Sequence, residues 1–215
     1  MTTDSAALLR LLAFASPAFP TGGFAYSQGL EWAVESGAVT TPAALTAWLA
    51  DTLTHGSTRT DAILLRHAHR AHADASAVQN LTDLAAATTW PSERQAETLA
   101  QGAAFAAATQ AWGAIGQGAY PVVFGAFAAT QGVTEDDATL GYLAAWASAQ
   151  ISAAIRLSLC GQSAGLRVLA ALEPTLIATA ATTTTATLDD LGGACFLADI
   201  AAMRHETQYA RLFRS

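Results

Sequence analysis

From Thr98 to Thr134 the chain carries no charged side chain, and a second uncharged run follows from Ala138 to Ile155. Stretches of that length must either cross a bilayer or be enclosed by the rest of the protein. The first run holds only eight Leu, Ile, Val or Phe residues among many Ala, Gly, Gln and Thr, with Pro121 among them. At roughly 0.3–0.6 kcal/mol per strongly apolar residue, insertion is weakly driven. Small side chains also let helices approach closely, so the expectation is an all-α, single-domain helical bundle over 1–215 with these runs inside it and no membrane partner. At 215 residues, one sizeable core is the natural organisation.

Helix punctuation supports the bundle. Asp4 or Ser5 caps a first amphipathic helix, and an acid where an exported chain would carry its basic region argues against a signal peptide. Thr41 and Pro42 supply a capping hydroxyl and a first-turn proline, followed by Leu45, Trp48, Leu49, Thr52 and Leu53 at spacings of three and four. Thr134 and the three acids after it open the longest helix, which runs to about Leu159. A break at Cys160, Gly161 and Gln162 precedes a further helix from Leu166 that Pro174 should end. Residues 181–188 read as a linker or a weak helix. Cys160 and Cys195 lie far apart and form no metal or redox motif, which suits a reducing compartment and a cytoplasmic location.

No lysine occurs anywhere in the sequence, and ten arginines face seventeen acids for a net charge of −7. A phosphate-binding loop of the Walker type and Schiff-base chemistry both need a lysine, and nucleic-acid binding needs excess cations. No nucleophile–base arrangement stands out either, so the chain reads as a non-enzyme without a cofactor.

Three constellations invite a functional reading. His67, His69 and His72 suit a transition metal by ligand type, but on a helix only His69 and His72 share a face. A solvated, arginine-rich face is the plainer expectation, with His69 and His72 as weak metal candidates. Residues 93–101, rich in acids and glutamines, read as a wetted helix face. The segment 198–215 repeats His205, Tyr209, Leu212 and Phe213 at helical spacing beside Arg204, Glu206, Arg211 and Arg214. Such a stripe either folds back onto the core or docks a partner.

The stretches SPAFPTGGFAYSQGLE, LCGQSAGLRVL and MRHETQYARLFRS, in that order, resemble the signatures of the UreF family of urease accessory proteins. The resemblance implies a non-enzymatic, homodimeric chaperone bridging the UreD/UreH scaffold and the UreG GTPase on apo-urease. It further implies support for GTP-dependent nickel insertion and maturation of the dinickel site; a nickel carrier built on His67, His69 and His72 is the competing function. Partner contacts are expected at Gly22, Gly23, Phe24, Tyr26, Gln28 and Glu31, and at Arg204, His205, Glu206, Tyr209, Arg211, Leu212 and Phe213, with 198–215 as the docking segment. In this reading Pro17 and Pro20 fix the chain direction, while Gly22 and Gly23 turn it. Phe24 and Tyr26 are then presented at the mouth of a helix over 27–35, unless they plug the bundle end.

Overall fold

The computed structural model describes residues 3–215, and among them there are ten α-helices and no strand. In chain order these are α1 (Ser5–Phe14), α2 (Leu30–Glu35), α3 (Pro42–His55), α4 (Ser57–Arg70) and α5 (Ala75–Thr88). They continue with α6 (Ser92–Ala108), α7 (Tyr120–Thr130), α8 (Glu135–Arg156), α9 (Gln162–Thr182) and α10 (Phe196–His205). The expected caps are present: Asp4 accepts from the amide of Ala7, Thr41 from Ala44 and Thr134 from Asp137.

The uncharged run 98–134 supplies the centre of the bundle. Every residue of α7 from Pro121 to Ala128 is buried, so this helix has no solvent face to mark with charges. Gly125 explains how close its neighbour comes: a Cβ there would lie 2.2 Å from the Leu65 carbonyl oxygen on α4. Phe14, Phe105, Phe124 and Phe127 interleave around this contact, mostly edge to face, with centroids 5.3–6.1 Å apart.

The histidine-bearing helix departs from the expected solvated face. Ala62 to Arg66 and Ala68 are all buried, because α4 lies between α7, α3 and α8. Arg66 is only 1% exposed and binds Glu135 at 2.7 Å, Asp136 at 2.8 Å and the Ala180 carbonyl at 2.7 Å. That one guanidinium ties α4 to the start of α8 and the end of α9. The pairing compensates a charge whose burial alone would be costly.

Residues 93–101 are likewise not a wetted face. Arg94, Glu97, Thr98 and Gln101 point inward from α6, at helical spacing with the fully buried Phe105. Pro174 also fails to end its helix, since α9 continues to Thr182. Val168, Leu172 and Leu176 hold α9 on the core, and Pro174 sits on the opposite, exposed side, where water can solvate the carbonyl deprived of its amide donor. By length and composition alone α9 could cross a bilayer, although neither run considered from the sequence contains it.

Candidate functional site: a glycine turn braced by the tail

Residues 16–29 form an irregular excursion between α1 and α2. Gly22 and Gly29 adopt φ of 74° and 83°, in the left-handed region that favours glycine. Gly29 is doubly constrained, because a Cβ there would fall 2.5 Å from the amide nitrogen of Ala202 on α10. The helix expected over 27–35 therefore starts only at Leu30. Between the glycines, one 3₁₀ turn over Gly23–Ala25 lifts Phe24 outward, where it is 74% exposed. Tyr26 is half-buried and lines a cavity beneath the turn.

The tail completes this region. Helix α10 stops at His205, so His205, Tyr209, Leu212 and Phe213 do not share a helical face. His205 and Phe213 are buried, whereas Tyr209 and Leu212 face solvent. The buried carboxylate of Glu31 organises the turn inward by accepting from the amides of Leu212 at 2.7 Å and Phe213 at 2.9 Å. A carboxylate accepting two main-chain amides can replace the hydrogen bonds that a helix would have given them. His205 lies between two acids, with Nδ1 2.7 Å from Glu93 and Nε2 3.2 Å from Glu31. Only a ring protonated on both nitrogens donates to both.

Further contacts fix the same segment. Arg211 pairs with Glu93 at 2.5 Å, and Glu206 accepts from Ser92 Oγ and the Glu93 amide at the N-terminus of α6. The Arg214 amide donates to the Ala25 carbonyl at 2.8 Å, and the Ser27 amide donates to the Ser215 main-chain oxygen at 2.7 Å. Turn and tail thus pair like two short strands. Arg156 sits 4.2 Å over the Phe213 ring and also donates to the Phe24 carbonyl. Arg156 and Arg214 are the arginines that hold the turn, while Arg211 braces the tail against Glu93.

Beneath the turn lies a polar layer. Gln28 donates to Glu97 at 2.7 Å and accepts from the Trp146 indole at 2.8 Å, while Ser215 Oγ donates to Glu97 at 2.6 Å. Arg94 pairs with Glu97 at 2.6 Å and lies 3.8 Å from Asp61, to which the Tyr142 hydroxyl donates at 3.0 Å. Burial pushes the Asp61 carboxyl up to about 6, against the opposing pull of Arg94 and Tyr142.

Of the residues expected at the site, the structure gathers Gln28, Glu31, His205, Glu206, Arg211, Leu212 and Phe213 into one braced unit, with Gly22, Gly23, Phe24 and Tyr26 beside it. Arg204 is exposed at the end of α10. Sequence reading missed Ser27, Asp61, Glu93, Arg94, Glu97, Trp146 and Arg156. The spacing of Glu93, Glu97 and Gln101 was the available signal, since it places three polar side chains on the face that also carries Phe105. Each histidine ring sets one nitrogen against a main-chain carbonyl: His67 against Ala186 at 3.1 Å, His69 against Val133 at 2.9 Å, and His72 against His69 at 2.9 Å. Among the described residues no group of three or more His, Cys, Asp or Glu is placed to hold a metal ion.

Comparison with known proteins is consistent along the whole chain. The UreF family model matches residues 39–173. A urease accessory protein UreF from Rhodopseudomonas palustris (strain TIE-1) is 50% identical over 226 residues, covering 99% of this chain and 94% of its own length. A relative of the same description from Bradyrhizobium sp. (strain ORS 278) is 50% identical across 99% of this chain and 93% of its own. A third, from Agrobacterium fabrum, is 47% identical across 98% and 97%.

Proposed function

The chain belongs to the UreF family of urease accessory proteins, and from that premise we propose that it is an assembly adaptor rather than a metal carrier. It bridges the UreD/UreH scaffold and the UreG GTPase on apo-urease in the cytoplasm. As a homodimer it supports GTP-dependent nickel insertion and maturation of the dinickel centre. The observation that carries the reading is the braced turn and tail. A 74% exposed phenylalanine sits on a backbone held by Gly22, Arg156 and the Arg214 pairing, with exposed Leu212 and Tyr209 nearby in sequence to buried anchors. A large apolar side chain on a rigid support loses little entropy on binding, and such anchors dominate interface energies.

The histidine cluster supports the choice of adaptor over carrier, because His67 reaches the Ala186 carbonyl and His69 the Val133 carbonyl, so the three imidazoles do not converge on one point. Co-purification tests the proposal. Phe24→Ala should leave helicity and melting temperature nearly unchanged while weakening GTPase recruitment about thirtyfold, the equivalent of about 2 kcal/mol. A variant that melts far lower yet still recruits the GTPase would show that Phe24 serves the core. Replacing His67, His69 and His72 together by alanine should leave nickel-dependent urease activation in place; its loss in a folded variant would favour the carrier.

A further inference from the structure

The cavity beneath the turn, about 250 Å³ in volume, has apolar and aromatic walls and a charged floor. Phe14, Tyr26, Tyr120, Tyr142 and Trp146 contribute the aromatic lining, and Ala145, Ser148, Ala149 and Ser152 of α8 line it with small side chains. On the floor, Glu97 is fully engaged by Arg94, Gln28, Gln101 and Ser215. Asp61 is different. It is 8% exposed, receives a hydroxyl from Tyr142, and meets its guanidinium neighbour only at 3.8 Å, because Arg94 is drawn to Glu97 at 2.6 Å. Two carboxylates therefore share one guanidinium, and the floor is one positive charge short.

We propose that this cavity binds a primary ammonium group on an alkyl stem, the stem lying along the aromatic wall and the ammonium meeting Asp61. Aromatic faces and a weakly compensated carboxylate together select an organic cation over an anion or a neutral group. The chain contains no lysine, so the group must come from another molecule. Because Tyr26 and Phe24 line the cavity mouth, a lysine side chain of the partner docked on the turn is the source in keeping with the adaptor reading, on which that part of the inference rests. A small free amine carries the same chemistry.

The test uses the isolated full chain and n-butylammonium chloride, with n-butanol as the neutral isostere, in isothermal titration calorimetry at constant ionic strength. The ammonium should bind and the alcohol should bind at least tenfold more weakly. Asp61→Asn, checked for helicity, should weaken ammonium binding at least tenfold. Lowering the pH from 7.5 to 5 should also weaken it, roughly tenfold, as the carboxyl that titrates at about 6 becomes neutral. Arg94, which also faces Glu97, stays cationic across that range, and Tyr120 and Tyr142 stay neutral because burial raises both, so the change is assigned to Asp61. Equal binding of butanol, or unchanged binding in a folded Asp61→Asn protein, would overturn the proposal. If that variant does not fold, the alcohol comparison and the pH arm on the unaltered chain still decide. Saturating n-butylammonium should then reduce GTPase or scaffold recruitment relative to sodium chloride if the source is a partner lysine; binding without competition identifies a free amine. These measurements need no partner for their first arms, so failure of the adaptor reading and failure of the cavity proposal are seen separately.

Discussion

Asp61 and Glu31 are both buried carboxylates, yet they sit in opposite circumstances. Glu31 is surrounded by donors: two amides and the His205 ring. Asp61 has one hydroxyl and a distant guanidinium, and burial dominates, pushing its carboxyl up from the ordinary carboxylate range to about 6. The folded state then binds the Asp61 proton more tightly than the unfolded chain does. Its contribution to stability is present below about pH 4 and is lost as pH rises through about 6, on the order of 3 kcal/mol in all. Asp61→Asn should therefore gain stability relative to the unaltered chain at pH 7.5 and show little gain at pH 4, in chemical denaturation at both pH values. A variant equally destabilised at both would mean that the Tyr142 hydrogen bond, not the buried charge, decides the site. For Glu31→Ala the expectation is reversed. Two amides and a ring nitrogen lose their acceptor at once, and at about 1–3 kcal/mol for each orphaned buried donor the tail should detach, read as faster amide exchange at Leu212 and Phe213.

At the scale of elements, the legible parts of the fold were those where local chemistry and tertiary packing agree. Asp4, Thr41 and Thr134 begin helices as their side chains dictate, and the uncharged run containing α7 lies inside the bundle as its lack of charge requires. Other elements were misread where tertiary contacts outvote periodicity. Arg66 and Arg94 look like surface residues in any window, but each is buried by acids from distant or adjoining turns that a local pattern does not reveal. Helical spacing in the tail was likewise misleading, since Glu31, more than 170 positions away, supplies acceptors that stabilise a non-helical path. The stripe resolves into buried His205 and Phe213 and exposed Tyr209 and Leu212. Deleting 207–215 should thus leave far-ultraviolet circular dichroism almost unchanged, because the segment contributes no helix. It should nevertheless lower the melting temperature, because burial of Phe213 beneath Arg156 is lost, at about 3–5 kcal/mol for a phenylalanine removed from a core. Equal melting of the truncated and full chains would show that the tail is not part of the cooperative unit.

Taken as one body, the molecule combines a net charge of −7 with several large apolar side chains left in water: Leu9 and Leu12 on α1, Leu166 and Ile177 on α9, and Phe196 and Leu197 on α10. Two copies of such a chain repel at long range and attract only where apolar faces meet. Salt separates these forces, because the Debye length shortens from about 30 Å at 0.01 M to about 3 Å at 1 M while burial of apolar surface is not weakened by screening. The homodimer of the proposed function should accordingly be seen by sedimentation equilibrium at micromolar concentration, and its dissociation constant should fall as sodium chloride rises from 0.05 to 0.5 M, on the order of these general screening scales. A dimer that instead loosened with salt would be held by ion pairs across its interface, drawing on the few arginines not already engaged within the chain. A strict monomer at both salt concentrations, alone and with the scaffold added, would remove the two-fold arrangement from the adaptor model and leave each chain to bring one scaffold and one GTPase together through a single turn and tail.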